Sequence, residues 1–283
     1  MTAIATIYAQ TLHENLKVVF ATWPLGAPVQ LGDYGKMQHG YLFSRLGNIG
    51  SDYGIRVTEK SGVETSWKYK SSETDEVNIK AGSNVNPNVP GGPPIAVKAN
   101  LTISFKRENA VYFNAAKCTY YGIDNQIGVN KQVLELFGQE QWDGDYVIVT
   151  SLFKAGTTTA IISSSNNSAV TIEASGDVPN IDLADTSAGL FTSSEKNVSL
   201  TVVAESGFVP LLGLAKVVPK DWLNAIFGGE RILESLGVSK TLSSVELTTQ
   251  ELSGMVETKT PKLAKDTGKS VEDVYEVRPL QYL

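Results

Sequence analysis

An α+β fold is predicted for this chain: a twisted, mainly antiparallel sheet with a few helices, closed by a helical C-terminal segment. Three observations predict it. Val97, Ala99, Leu101, Ile103 and Phe105 alternate with Lys98, Asn100, Thr102, Ser104 and Lys106, a strict period of two. Tyr146 to Phe153 is an apolar, β-branched run with the length of a buried strand. Helical spacing is confined to residues 3–17, a short run near 130–138 and the stretch after Pro219.

In chain order, Thr2 is a plausible N-cap for a helix over 3–17, where Ile4, Ile7, Tyr8, Leu12 and Leu16 form one stripe. Val18-Val19-Phe20 opens an extended segment that Pro24 and Pro28 interrupt. Residues 29–35 and 41–46 read as two short strands, and the glycines at 35 and 40 between them fit a hairpin. Loose alternation over 55–80 precedes an Asn-, Pro- and Gly-rich loop at 82–94, whose Pro93-Pro94 cannot join a ladder. Strands follow at 97–106 and 111–121. Asn130 is a candidate cap for a short helix ending at Gly138.

Asp143-Gly144-Asp145 reads as a turn into the strand at 146–153. From Thr157 to Ala204 the chain is rich in Ser, Thr, Asn and Ala, with Val170 and Ile172 on one face and Val198, Leu200 and Val202 on another. After Pro219, Trp222, Leu223, Ile226 and Phe227 form an apolar helical stripe, and a last strand is expected near 274–278. The expected division is a strand-rich domain over 1–218 and a C-terminal segment over 219–283.

Of the 283 residues, 42% are apolar and 19% charged, so a full core can form. A formal net charge of −6 supplies no basic field for phosphate, so nucleic acid is not expected as a partner. No apolar run reaches the roughly 18 residues of a membrane helix. The start of the chain lacks a signal-peptide pattern, and the single cysteine, Cys118, allows no intrachain disulfide; a reducing compartment is expected.

Catalytic chemistry is not expected. His13 and His39 are the only near-neutral bases, and no Gly-x-Ser-x-Gly elbow accompanies them. Cys118 reads as a small buried hydrophobe. One cysteine and two histidines fall short of a structural zinc site, Asp143-Gly144-Asp145 lacks the rest of a calcium loop, and Asp182 and Asp185 read as loop carboxylates. Gly47-Asn48-Ile49-Gly50-Ser51 has no phosphate-loop lysine. No metal and no cofactor is expected.

Strands can cross a bilayer when they close into a barrel, each needing about 9–11 residues with alternating faces. Residues 96–106 meet that length and pattern, and stretches within 157–204 approach it. Several blocks carry a resemblance. They include Leu16-Lys17-Val18-Val19-Phe20, Leu31-Gly32-Asp33-Tyr34-Gly35 and Phe43-Ser44-Arg45-Leu46-Gly47-Asn48. Further on come Ala99 to Phe105, Ile123-Asp124-Asn125-Gln126, Asp145 to Lys154 and Val202 to Gly207, then Gly213 to Val217. In their order and character they resemble the bacterial gasdermins, a pore-forming family, over about residues 3–218.

That resemblance implies a pore-former held inactive by its C-terminal segment. A protease would release the segment, and subunits would form a homo-oligomer in membrane lipid. The implied localisation is cytoplasmic, moving to the inner membrane on activation, and the implied role is cell-suicide defence against phage. Candidate membrane-inserting residues are Val97, Leu101, Ile103, Phe105, Val170, Ile172, Val198, Leu200 and Val202. Trp222, Leu223, Ile226 and Phe227 are the candidate autoinhibitory contact. The chain departs from the family in having its cysteine at 118, so insertion assisted by a lipidated N-terminal thiol is not expected. The alternatives are a structural subunit of a tube, shell or phage-type assembly, and a hydrolase with an unusual site.

Overall fold

A computed structural model describes residues 3–80, 98–220 and 270–280. The helix α1 (Ala3–Leu16) forms where the apolar stripe predicts it, with Ala5, Tyr8, Ala9 and Leu12 buried. It leads through β1 (Phe20–Ala21) to a hairpin of β2 (Asp33–Gln38) and β3 (Leu42–Asn48), whose turn places His39 and Gly40 at positive φ. Next come α2 (Ile49–Tyr53), β4 (Glu59–Lys70), β5 (Thr74–Ile79), β6 (Asn100–Phe105) and β7 (Val111–Ile123). The helix α3 (Gln126–Gly138) separates these from β8 (Val147–Lys154), β9 (Thr157–Ser163) and β10 (Ser168–Ala174). Then follow β11 (Leu190–Lys196), β12 (Val198–Glu205), β13 (Leu211–Pro219), α4 (Val271–Val274) and β14 (Tyr275–Pro279).

Every strand pairing among the described residues is antiparallel, so the mainly antiparallel α+β class holds. The helical C-terminal segment does not hold where the structure describes it. After one turn of helix in α4, the chain becomes β14, a strand in register with β13 from Ala215↔Pro279 to Pro219↔Tyr275. Val277 and Tyr275 are carried there to pack on α3, and Tyr275 meets the Phe137 ring edge-on. The helix α3 also begins earlier than the Asn130 cap predicts. Its N-cap is Asn125, whose side chain instead accepts from the Thr58 N–H at 2.9 Å and donates to the Arg56 carbonyl at 2.8 Å.

The strands form two sheets. In the larger one β13, β8, β7, β9 and β12 lie side by side, with β4 on the free side of β7 and β2, β3 and β14 at the base. The smaller one has the order β11-β10-β6-β5. Four cores result. α1 covers Val111, Phe113 and Ala115 of β7 and Ala160 and Ile162 of β9. On the opposite face of those strands, Tyr112 and Ile161 pack against Leu101, Ile103 and Phe105 of β6 and Val170 and Ile172 of β10. The base carries the other two cores, one under α2, α3 and α4 and one between β8, β13 and the β2–β3 hairpin.

A buried carboxylate ties the β2–β3 hairpin to α2. The side chain of Asp33 is 1% exposed and accepts from Arg45 Nε at 2.9 Å, from the Gln30 N–H at 2.9 Å and from Asn48 Nδ2 at 2.9 Å. Asn48 in turn caps α2 through Gly50 N–H. Asp33→Ala strips the partner from the part-buried Gln30 N–H and Asn48 amide as well as from the half-exposed Arg45. It should cost about 2–4 kcal/mol, read as a lower denaturant midpoint with an unchanged slope.

His13 gives the α1 packing a pH dependence. Its ring stacks on Phe20 with centroids 4.3 Å apart, and Nδ1 lies 3.1 Å from the Val19 carbonyl. Burial pushes its pKa below the ordinary value, outweighing the opposing pull of that carbonyl and of Glu14. The unfolded chain therefore binds more protons once pH falls below about 6.5. Stability should drop as pH falls through that value, levelling out only below the folded-state pKa. In His13→Phe the pH dependence of the thermal midpoint between pH 7 and 5 should be flatter; an equal slope in both proteins refutes this assignment.

Candidate functional site

Of the residues expected to meet lipid, Leu101, Ile103, Phe105, Val170 and Ile172 are buried, and Val198, Leu200 and Val202 are partly buried. Leu101, Ile103 and Phe105 on β6 face Val170 and Ile172 on β10, with Ile103 opposite Val170 and Leu101 opposite Ile172. Val198, Leu200 and Val202 lie on β12, but a register shift between Val198 and Leu200 divides them. Val198 packs toward β6 and β10, whereas Leu200 and Val202 pack toward α1. Val97, Trp222, Leu223, Ile226 and Phe227 lie outside the described residues.

What joins these positions is a feature the sequence pattern does not reveal. The order β4-β7-β9-β12 in the larger sheet is repeated as β5-β6-β10-β11 in the smaller one. Each strand of the first set runs along the chain into the strand at the same place in the second. The two sheets are thus one four-lane ribbon bent at a common crease, with lanes Glu59–Ile79, Asn100–Ile123, Thr157–Ala174 and Leu190–Glu205.

The crease is bonded from lane to lane. Arg107 donates to Glu73 from Nε at 3.2 Å and from Nη2 at 3.1 Å, and the Ser71 N–H donates to the Val111 carbonyl at 2.9 Å. The buried Ser163 hydroxyl accepts from the Ala110 N–H at 2.9 Å and donates to the Arg107 carbonyl at 2.7 Å. Ser164 N–H reaches the Asn197 carbonyl at 2.9 Å, and the Ser168 hydroxyl lies against the same carbonyl. Neighbouring lanes therefore stay connected through the bend.

Side-chain alternation links the two cores. In an extended lane, residues two apart share a face. Leu101, Ile103 and Phe105 then fall on the same face as Val111, Phe113 and Ala115. In the third lane Val170, Ile172 and Ala174 fall with Ala160 and Ile162, and in the fourth Leu190 falls with Leu200 and Val202. Arg107 is the only charged residue on that face between 101 and 115 and sits at the crease; in β11 a register shift pairs Glu195 with Val170 and Lys196 with Ala169, which puts Glu195 on the face of Val170. The other faces carry Thr102, Ser104, Thr171 and Glu173, together with the apolar Tyr112 and Ile161.

Two outer elements complete the site. β4 is an edge strand whose residues 59–66 are exposed throughout, with Val63 84% exposed. The 175–189 connection tucks Ile181, Leu183 and Ala188 into the core against β6 and β10. It is held by Asn78 Nδ2 on the Ile181 carbonyl at 2.7 Å and by the Thr157 hydroxyl on the Leu183 carbonyl at 2.8 Å.

Groups capable of acid–base or metal chemistry are not gathered together. His13 is packed under Phe20 and Tyr41, and His39 sits in the β2–β3 turn. Asp182 and Asp185 close local turns on the Ala184 and Ser187 N–H groups. Among the described residues no cluster of three metal-ligating side chains occurs, and no helix is long and apolar enough to cross a membrane. An open groove of about 1020 Å³ is lined by Arg56, Glu59, Tyr121 and Lys154 together with residues 26–31.

No protein-family model matches the chain, and no curated protein matches it. Among solved structures it is similar to a bacterial gasdermin from Bradyrhizobium tropiciagri. The two are 9% identical, the match covers 73% of this chain and 85% of that one, and the TM-score is 0.32.

Cys118 is buried on β7, with Sγ 3.4 Å from the Ala115 carbonyl. Burial, with a smaller contribution from Glu64, pushes its thiol up to about 11, so almost no thiolate forms at neutral pH. In the folded protein it should stay unlabelled by a maleimide and label fully in denaturant. Cys118→Ala should cost about 1–2 kcal/mol and leave function in place.

Proposed function

We propose that this chain is a pore-forming protein whose four-lane ribbon straightens, assembles with further copies and lines a hole in a membrane. One observation carries the reading: straightening would unite two separately buried apolar surfaces on one face of one ribbon. The strands of the smaller sheet are short, six residues in β5 and β6 and seven in β10 and β11, against the about 9–11 a spanning strand needs. β4 and β7, at 12 and 13 residues, reach that length alone, whereas β9, β11 and β12, at seven, seven and eight, reach it only when joined to the other half of their lanes. Their apolar face would meet lipid and their Thr-, Ser- and Glu-bearing face would meet water, the division that barrel strands require.

The folded form supports an inactive state. α1 covers the apolar face of β7 and β9, and the smaller sheet turns its own apolar face inward. Assembly would use the two ribbon edges, β4–β5 of one copy pairing with β12–β11 of the next. Such a head-to-tail contact closes into a ring and leaves no strand edge exposed to hydrocarbon. Proteolytic removal of the C-terminal segment is the proposed trigger. A chain ending near residue 255 would lack β14 and its register with β13, as well as the Tyr275–Phe137 contact.

The test is dye release from vesicles of phosphatidylcholine with one-third phosphatidylglycerol. The chain ending near residue 255 should release dye and the full chain should not. If the truncated chain folds but permeabilises neither these vesicles nor neutral ones, the pore reading fails. Regular polymers of the intact chain without leakage would put the assembly-subunit reading in its place. Leu101→Asp and Val170→Asp are poor tests, because both positions are fully buried in the folded form and the variants would lose the smaller sheet itself.

A further inference from the structure

Among the described residues, nine other than glycine have positive φ; four of them lie in the crease, one in each lane, and two more, Lys117 and Ala204, lie within β7 and β12 away from it. The four in the crease are Glu73 at 61°, Asn109 at 60°, Asn167 at 60° and Asn197 at 55°. The three asparagines are the only asparagines among the nine. A left-handed residue is out of place in an extended lane, whose φ is strongly negative. Asparagine tolerates the left-handed region because its short polar side chain bonds locally, and it is not barred from the extended one.

From this coincidence we infer that Glu73, Asn109, Asn167 and Asn197 are the hinges of the ribbon. Their left-handed backbones, together with the packing of the two sheets, set how readily the ribbon straightens. Each hinge residue sits where neighbouring lanes bond across the crease. The Asn109 N–H donates to the Ser163 carbonyl at 3.2 Å, the Glu73 carbonyl accepts from the Lys106 N–H at 3.4 Å, and the Asn197 carbonyl accepts from Ser164. Asn167 follows Asn166, whose Oδ1 accepts from the Glu108 N–H at 3.1 Å. Because these bonds couple the lanes, one hinge cannot turn alone. Glycine in all four places would make the bend nearly free of backbone cost, and a β-branched residue would oppose it.

As a regulatory device this rests on the reading of the ribbon as a membrane-inserting element, but the hinge itself can be tested without a membrane. The full chain is prepared with Asn109, Asn167 and Asn197 all changed to Val, with Asn197→Val alone as a milder variant, and with all three changed to Gly. Hydrogen exchange is followed at the Ala110 and Ser164 amides, which bond across the crease, and in β8 and β13 at the base. Each valine should raise exchange at the crease amides about 5- to 30-fold, while β8 and β13 stay protected. The glycine variant should show no such rise.

Equal crease protection in the valine and glycine proteins overturns the inference. So does a loss of protection spread evenly over β8 and β13, because the crease would then not be a separable hinge. The same proteins mixed with the phosphatidylglycerol-containing vesicles separate the two claims. Dye release by an untruncated valine variant with an opened crease supports both. An opened crease without release in any valine variant leaves the hinge standing and counts against the pore.

Discussion

A sheet bends only if every lane bends at the same level, because each buried N–H and C=O must keep a partner through the turn. The rest of this structure depends on that constraint. It explains why four separate chain segments, far apart in sequence, all change direction together at 71–73, 106–110, 164–167 and 197. It also explains the chemistry found there. Ser163 and Ser168 are buried hydroxyls that replace ladder bonds the bend would otherwise leave open, and Asn166 does the same for Glu108. The Arg107–Glu73 pair is exposed and contributes little energy of its own; its geometry ties the outermost lane to the next.

The bend in turn determines what the helices do. Once β5, β6, β10 and β11 occupy one face of the ribbon, the opposite face of β7 and β9 needs a cover, and α1 supplies it with Ala5, Tyr8, Ala9 and Leu12. Tyr8 is fully buried, packs against Trp23 and Phe113, and has no hydrogen-bond partner for its hydroxyl among the described residues. A buried, unpartnered hydroxyl is a cost that the surrounding apolar contacts must outweigh. The contact is therefore stable as long as the helix stays seated and gains nothing specific from that group.

Much of the fold was legible in the sequence because period-two and period-3.6 patterns are local. The α1 stripe, the β2–β3 hairpin, β6 and β8 were each read from their own residues. The continuity of the ribbon was not legible, since no pattern within one strand records which strands lie beside it. The crease was hidden for a second reason. Its left-handed positions are filled by asparagine and glutamate rather than glycine, so Asn109, Asn167 and Asn197 read as ordinary polar loop residues. The helix α3 was placed too late because Asn125 spends its side chain on the 56–58 backbone instead of on a cap. The division of Val198 from Leu200 and Val202 follows from a bulge, and alternation counting cannot anticipate an inserted residue.

The alternation argument accounts for why the bent form needs left-handed residues at all. Folding a sheet over without any twist of the backbone would bring the same face inward on both halves, and the two apolar surfaces would meet each other directly. Here they do not. The apolar face of β6 and β10 packs on Tyr112 and Ile161, which belong to the opposite face of β7 and β9 from Phe113 and Ile162. Between the halves of these lanes the side-chain parity has been inverted once. A left-handed residue in each lane breaks the extended alternation at the place where that inversion is required. The inversion frees the apolar face of β7 and β9 for α1 and gives the smaller sheet a separate core. The same four residues that permit two cores in the folded form are thus the ones whose extension would merge them into a single face.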